Sequence, residues 1–232
     1  MPEERYSGGR YLGMGLLVFL LLGADMLSVL LARLLDGRSL SDHGFWSDNW
    51  YATVGGSLCS SLIWALSIWG FTSWAHRNGV LRRLVSWRAD GRAWATATVG
   101  AALIGVAGWL QTTADGGTFP SVASELGGFR QLYPGHGGVV TTFQYLYYLL
   151  EAGMVVLLVA LYQRAGERWT GKMRVPWGAV GLGLTWGVAH LGSHPHGALL
   201  VVGIAVFYGI AFSVSRKSAP AVLALVYLGF VL

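Results

Sequence analysis

Apolar runs about as long as a bilayer is thick divide this chain, and short polar, arginine-rich stretches separate them. The runs fall at about 11–35, 51–75, 94–111, 138–163, 176–194, 197–215 and 219–232. Six of them reach the roughly 17–25 residues that a helix needs to cross a bilayer. The seventh is short, and would start earlier or rest partly in the interface. No alternating strand pattern interrupts them. A helix satisfies every backbone group internally in lipid. The pattern therefore predicts an all-α, polytopic transmembrane helix bundle of about seven spans, forming a single transmembrane domain over 1–232. Three helices occupy 1–111, an outer loop 112–137, and four further helices 138–232.

The basic residues alternate with the spans. With the N-terminus cytoplasmic, the inner segments hold thirteen: Arg5 and Arg10; Arg77, Arg82, Arg83, Arg88 and Arg92; Arg164, Arg168, Lys172 and Arg174; Arg216 and Lys217. Only Arg33, Arg38 and Arg130 fall outside. Such a bias sets membrane orientation, so a multi-pass protein of the cell membrane with its N-terminus inside is expected. The opening "MPEERYSGGR" has neither the basic n-region nor the cleavage site of a signal peptide, and the first segment is expected to remain as a helix.

Composition agrees with this pattern. Hydrophobic residues make up 54% of the chain and charged residues 12%, with a mean hydropathy of +0.52. Soluble domains carry about 25% charged residues. The net charge of +5 therefore belongs to loop placement, and no nucleic-acid partner is expected. One cysteine, Cys59, excludes an internal disulfide and a cysteine-based metal site. The stretch 112–137 is rich in Gly, Ser and Thr and reads as a lid or a mobile connection, with His136 on its surface.

Three ionisable residues fall deep inside spans: Asp25, Glu151 and His190. Charged groups there are costly and usually face the bundle interior. At 1.5 Å per residue, Asp25 lies about 20 Å, Glu151 about 18 Å and His190 about 21 Å from the cytoplasmic ends of their helices. Groups at one depth in a small bundle can converge. Gln144, Tyr147, Tyr148 and Glu151 share one side of the fourth span, and Gly183, Trp186, Gly187, His190 and His194 share a face of the fifth. The Gly183–Gly187 pair permits close approach of a neighbouring helix, and the glutamate-bearing span is the expected one. His190 and His194 are four apart and could address one metal ion. Pro195 argues that the helix ends near His194, which would leave His194 and His196 in a hydrated loop.

The stretch from Glu151 onward resembles the CPBP intramembrane proteases, the CAAX-processing and bacteriocin-processing family. Their pattern pairs two glutamates with a following arginine, then Phe-x-x-x-His, then a histidine in the last helix. Here Glu151 in "YYLLEAGMVVLLVALYQRAGERW" resembles the first motif, and Trp186-Gly-Val-Ala-His190, 39 residues on, resembles the second with Trp for Phe. Ala152 replaces the second glutamate, Val156 stands at the arginine position, and Ala224 and Leu228 stand near the place of the last histidine. The resemblance implies Glu151 and His190 as catalytic residues; shared helix faces and depth make Tyr147, Tyr148, Trp186 and Asp25 the expected substrate-contacting or supporting groups. It further implies a divalent metal such as zinc on Glu151 and His190, and a membrane-embedded or lipidated peptide as substrate; the spacing of four makes His194 the further expected ligand.

Three readings stay open from sequence. The chain is an intramembrane, metal-dependent endopeptidase, active or degenerate; or a scaffold that binds a membrane-protein partner; or a proton-coupled transporter using Asp25 and Glu151. Membrane lipid is a partner in all three.

Overall fold

The computed structural model describes residues 6–35, 49–114, 119–191 and 198–232. They are helical throughout: α1 Gly8–Leu22, α2 Ala24–Leu35, α3 Trp50–Arg77, α4 Leu81–Leu84, α5 Gly91–Ala114, α6 Ser121–Leu132, α7 Gly137–Thr170, α8 Trp177–Leu182, α9 Ala198–Val214 and α10 Ala219–Val231. After α8 the chain continues as a π-helical turn, Gly183–Gly187. The described residues form no strand; Ser86 and Ser218 make an isolated bridge. Among the described residues, four helical stretches are long and apolar enough to cross a membrane: Gly8–Met26, Trp50–Arg77, Gly91–Ala114 and Gly137–Thr170.

Local chemistry explains the helix ends. Ser7 caps α1, its hydroxyl accepting from the Arg10 amide, and Asp90 caps α5 by accepting from the Ala93 amide. Gly171, at φ 69°, ends α7 in the left-handed conformation that glycine adopts without a steric cost. The first apolar run is one segment in sequence but two helices in space. The chain breaks at Gly23, and the Trp64 indole donates to the Leu21 carbonyl at 2.9 Å just before the break.

Helix α7 is the central post. Residues such as Met154, Val155, Leu158 and Leu161 are fully buried, with α1, α3, α6, α8 and α10 packed around them. The helix extends seven residues past the expected end at 163, so Arg164 and Arg168 stand on it rather than in a loop.

Small residues set two helix approaches, and one differs from the expectation. Gly183 and Gly187 do not receive the glutamate-bearing α7; a Cβ there would meet Val206, Ala205 and Val202 of α9. On this segment the glycines facing α7 are Gly178, against Val159, and Gly181, against Tyr162. A helix turns about 100° per residue, so glycines five to six positions apart look toward different neighbours. Spacing alone does not say which neighbour fills the groove.

The two ends of the bundle differ. At one end Tyr6 donates to Asn78 at 2.6 Å, Arg216 pairs with Asp90 at 3.6 Å, and the Lys217 carbonyl accepts from the Ser86 amide at 2.8 Å. Here the segments bearing Arg10, Arg77, Arg92, Arg168, Arg174 and Arg216 meet. At the other end Thr53 and Tyr133 share a hydrogen bond of 2.8 Å, and exposed His136 stacks on Trp50 at 4.5 Å.

Candidate functional site

Glu151 sits on α7, partly exposed, roughly 21 Å along the helix from Gly137. Its Oε1 accepts a hydrogen bond of 3.2 Å from the indole Nε1 of Trp186, which is buried at 5% exposure. The backbone carbonyl of the same tryptophan lies 2.7 Å from His190 Nδ1. A carbonyl can only accept, so Nδ1 carries the proton and Nε2 points its own chemistry elsewhere. The two rings pack with centroids 4.3 Å apart. One residue thus ties the carboxylate and the imidazole together.

Asp25 completes the group. It stands in the first turn of α2, immediately after the break at Gly23, where its Oδ1 accepts from the Met26 amide at 2.7 Å. Its carboxyl lies close enough to Tyr147, His190 and Glu151 to interact electrostatically with each. The three deep ionisable residues expected at one depth therefore stand together.

Both irregular helix segments adjoin this cluster. The α1–α2 break presents Asp25, and the π-helical turn presents Trp186. In that turn the Val188 amide donates to the Gly183 carbonyl, one residue further back than in an α-helix. Such turns often mark functional positions because they re-aim a side chain. Regular winding ends by Ala189, and His190 lies in a turn closed by its amide on the Gly187 carbonyl. The helix therefore stops about four residues before the expected end at His194. His194 and His196 lie outside the described residues.

An aromatic wall surrounds the cluster. Tyr147 packs on Trp64 at 4.7 Å, Trp186 on Phe230 at 6.0 Å, and Tyr148 on Phe230 at 5.6 Å. Gln144 is buried on the same side of α7, as expected. Tyr208, 1% exposed, was not expected; it comes from α9 and packs 6.5 Å from Trp186.

Sequence reasoning also missed Glu125. The stretch expected as a loop contains α6, and Glu125 on it accepts from Tyr148 at 2.6 Å and from Tyr145 at 3.3 Å. Burial pushes its carboxyl above the usual range, and the two hydroxyls partly offset the rise. Tyr148 thus belongs to two neighbourhoods, stacking toward the Trp186 side while its hydroxyl serves Glu125.

The donor set does not by itself build a metal centre. Among the described residues no group of three His, Cys, Asp or Glu side chains is placed to hold an ion. The third expected ligand, His194, lies outside them.

A second buried polar cluster lies at the basic end. Gln163, 1% exposed, donates to Glu167 and to the Val175 carbonyl, both at 2.9 Å, and accepts from the Gly178 amide at 3.0 Å. The buried Glu167 carboxylate also receives Lys217 at 2.8 Å and Arg164 at 3.1 Å. This cluster ties α7 to α8 and to the turn before α10. The only trace of it in sequence is the spacing of four between Gln163 and Glu167.

No protein-family model, curated protein or solved structure matches the chain.

Proposed function

We propose that this chain is a multi-pass protein of the cell membrane, with about seven spans and its N-terminus cytoplasmic, and that it is an intramembrane endopeptidase of the CPBP type. The single observation that carries the reading is the pairing of Glu151 and His190 through Trp186, with Asp25 beside them. The basic end of the bundle supports the orientation.

In this reading Glu151 is the general base. Its carboxylate takes a proton from a water, whose oxygen attacks the carbonyl carbon of a membrane-embedded or lipidated peptide. The same proton passes to the leaving amine as the C–N bond breaks. Trp186 fixes the carboxylate, so little reorganisation precedes the transfer. His190, held at Nδ1 by the Trp186 carbonyl, offers Nε2 to the developing oxyanion when its ring is doubly protonated. Asp25 is the neighbouring carboxylate with which that cation pairs. Partial exposure of Glu151 and His190 leaves room for water and substrate beside them.

The experiment is cleavage of a panel of transmembrane and prenylated peptides by the purified protein in liposomes. Wild type cleaves, while Glu151→Gln and His190→Ala do not and remain folded. Unchanged turnover in Glu151→Gln removes the assignment.

A second reading rests on the closeness of Asp25 to Tyr147, with Glu151 one helical turn beyond Tyr147. Two carboxyls flanking a phenol resemble the stations of a proton relay. Proton flux into liposomes that disappears in Tyr147→Phe favours it over hydrolysis.

A further inference from the structure

A cleft of about 540 Å³ opens at the basic end of the bundle, away from the Glu151 cluster. Arg92, Arg174, Arg216 and Lys217 line it. They come from the start of α5, the link between α7 and α8, and the turn between α9 and α10. Four cations from three separate parts of the chain thus face one space.

Their counter-charges are few. Lys217 serves the buried Glu167 carboxylate, and Arg216 pairs at 3.6 Å with Asp90 at the rim. Arg92 and Arg174 are exposed and have no acidic partner among the described residues. A concave site with surplus positive charge attracts an anion, and guanidinium groups match phosphate geometry with paired N–H donors.

The backbone gives an independent reason to suspect a ligand. Arg216 and Lys217 are consecutive non-glycine residues at φ 56° and 63°. That conformation crowds an L side chain and persists only where surrounding structure holds it. Here the Lys217 amide donates to the Phe212 carbonyl at 2.8 Å, while the Ser86 amide donates to the Lys217 carbonyl at 2.8 Å. The strained turn brings both cations to the cleft.

The apolar part of the lining selects the ligand class. Ile210 and Val214 on α9, 40% and 39% exposed, rise from the cleft along the helix. An amphiphile fits this arrangement, its phosphate among the arginines and its chains on α9. We propose that the cleft binds the phosphate headgroup of an anionic phospholipid in the leaflet at the basic end of the bundle. Basic pockets between helices at the cytoplasmic surface recognise lipids in this way. The inference uses the membrane placement of the bundle but not its chemistry at Glu151.

The test is lipid binding to the full chain in detergent, read by native mass spectrometry during titration with phosphatidylglycerol, phosphatidylcholine or soluble glycerol phosphate. Wild type is expected to retain one phosphatidylglycerol, with no comparable retention of phosphatidylcholine or glycerol phosphate. Arg92→Ala/Arg174→Ala is expected to bind it about tenfold more weakly. Both side chains are exposed and have no acidic partner among the described residues, so the variant keeps the wild-type Tm without lipid. Equal phosphatidylglycerol binding by the variant overturns the proposal. So does equal retention of phosphatidylcholine, or retention of glycerol phosphate at the same affinity, which assigns the cleft to a soluble phosphate. Peptide cleavage is a separate readout, so failure here and failure of the endopeptidase reading are distinguishable.

Discussion

Trp186 donates its indole N–H to Glu151 at 3.2 Å, joining two helices through side chains 35 residues apart in sequence. The same residue holds His190 through its backbone carbonyl. Replacing it with phenylalanine keeps most of the packing but deletes the N–H. Loss of a hydrogen bond to a carboxylate costs about 1–3 kcal/mol. Trp186→Phe is therefore expected to lower the Tm in detergent and to reduce peptide cleavage, because Glu151 loses its anchor. A variant with wild-type Tm and turnover would show that the bond does neither.

The close approach of α8 and α9 depends on Gly209. A Cβ added there collides with the backbone of Ala179, which cannot move independently of its helix. Overpacking of this kind costs about 1–3 kcal/mol or more. Gly203, six residues earlier on the same helix, faces open space. Gly209→Ala is expected to destabilise strongly, and Gly203→Ala to be neutral or mildly stabilising. Thermal unfolding of the pair in one detergent checks the contrast, and equal Tm values would contradict it.

Glu167 is buried with Lys217, Arg164 and Gln163 gathered on its carboxylate. Removing one member of a buried ionic group leaves its partners uncompensated, at about 3–5 kcal/mol. Glu167→Ala is expected to lose that much stability and to loosen the turn before α10. Calorimetry measures the loss, and hydrogen exchange over 215–220 measures the loosening. A cost near zero would place the cluster on a solvated surface.

Glu125 gives a pH dependence with a definite sign. Its folded carboxyl titrates above the ordinary value near 4.5, because burial opposes the charge. The folded state then binds more protons than the unfolded chain between those two values. Its contribution to stability is complete below the ordinary value and is lost as pH rises through the folded one. Glu125→Gln removes this term, so the Tm of the variant is expected to gain on wild type as pH is raised from about 4 to 7. Parallel Tm profiles for the two proteins would contradict the burial.

The convergence of Asp25, Glu151 and His190 was legible in sequence because depth in a membrane follows from counting residues along a helix. The break at Gly23 and the π-helical turn at Gly183–Gly187 were not. Both lie within apolar runs whose hydropathy does not change where the winding does. Helix α6 was hidden by Gly127 and Gly128, which read as loop, while Glu125 depends on tyrosines about twenty residues later. The extension of α7 past residue 163 was hidden by its charges. Arg164 and Glu167 resemble loop residues until Lys217, fifty residues on, is seen to neutralise the acid. The partner of Gly183 and Gly187 was misread for a related reason: a groove is written in one helix, but its occupant is chosen by the whole bundle.

Isotope transfer from water tests the central claim most directly. Wild type in liposomes, incubated with transmembrane and prenylated peptides in oxygen-18 water, is expected to yield fragments with one heavy oxygen in each new C-terminal carboxyl. A Glu151→Gln variant of equal Tm is expected to yield none. Labelled fragments at the wild-type rate from that variant, or no labelled fragment from wild type with any peptide of the panel, would contradict the account.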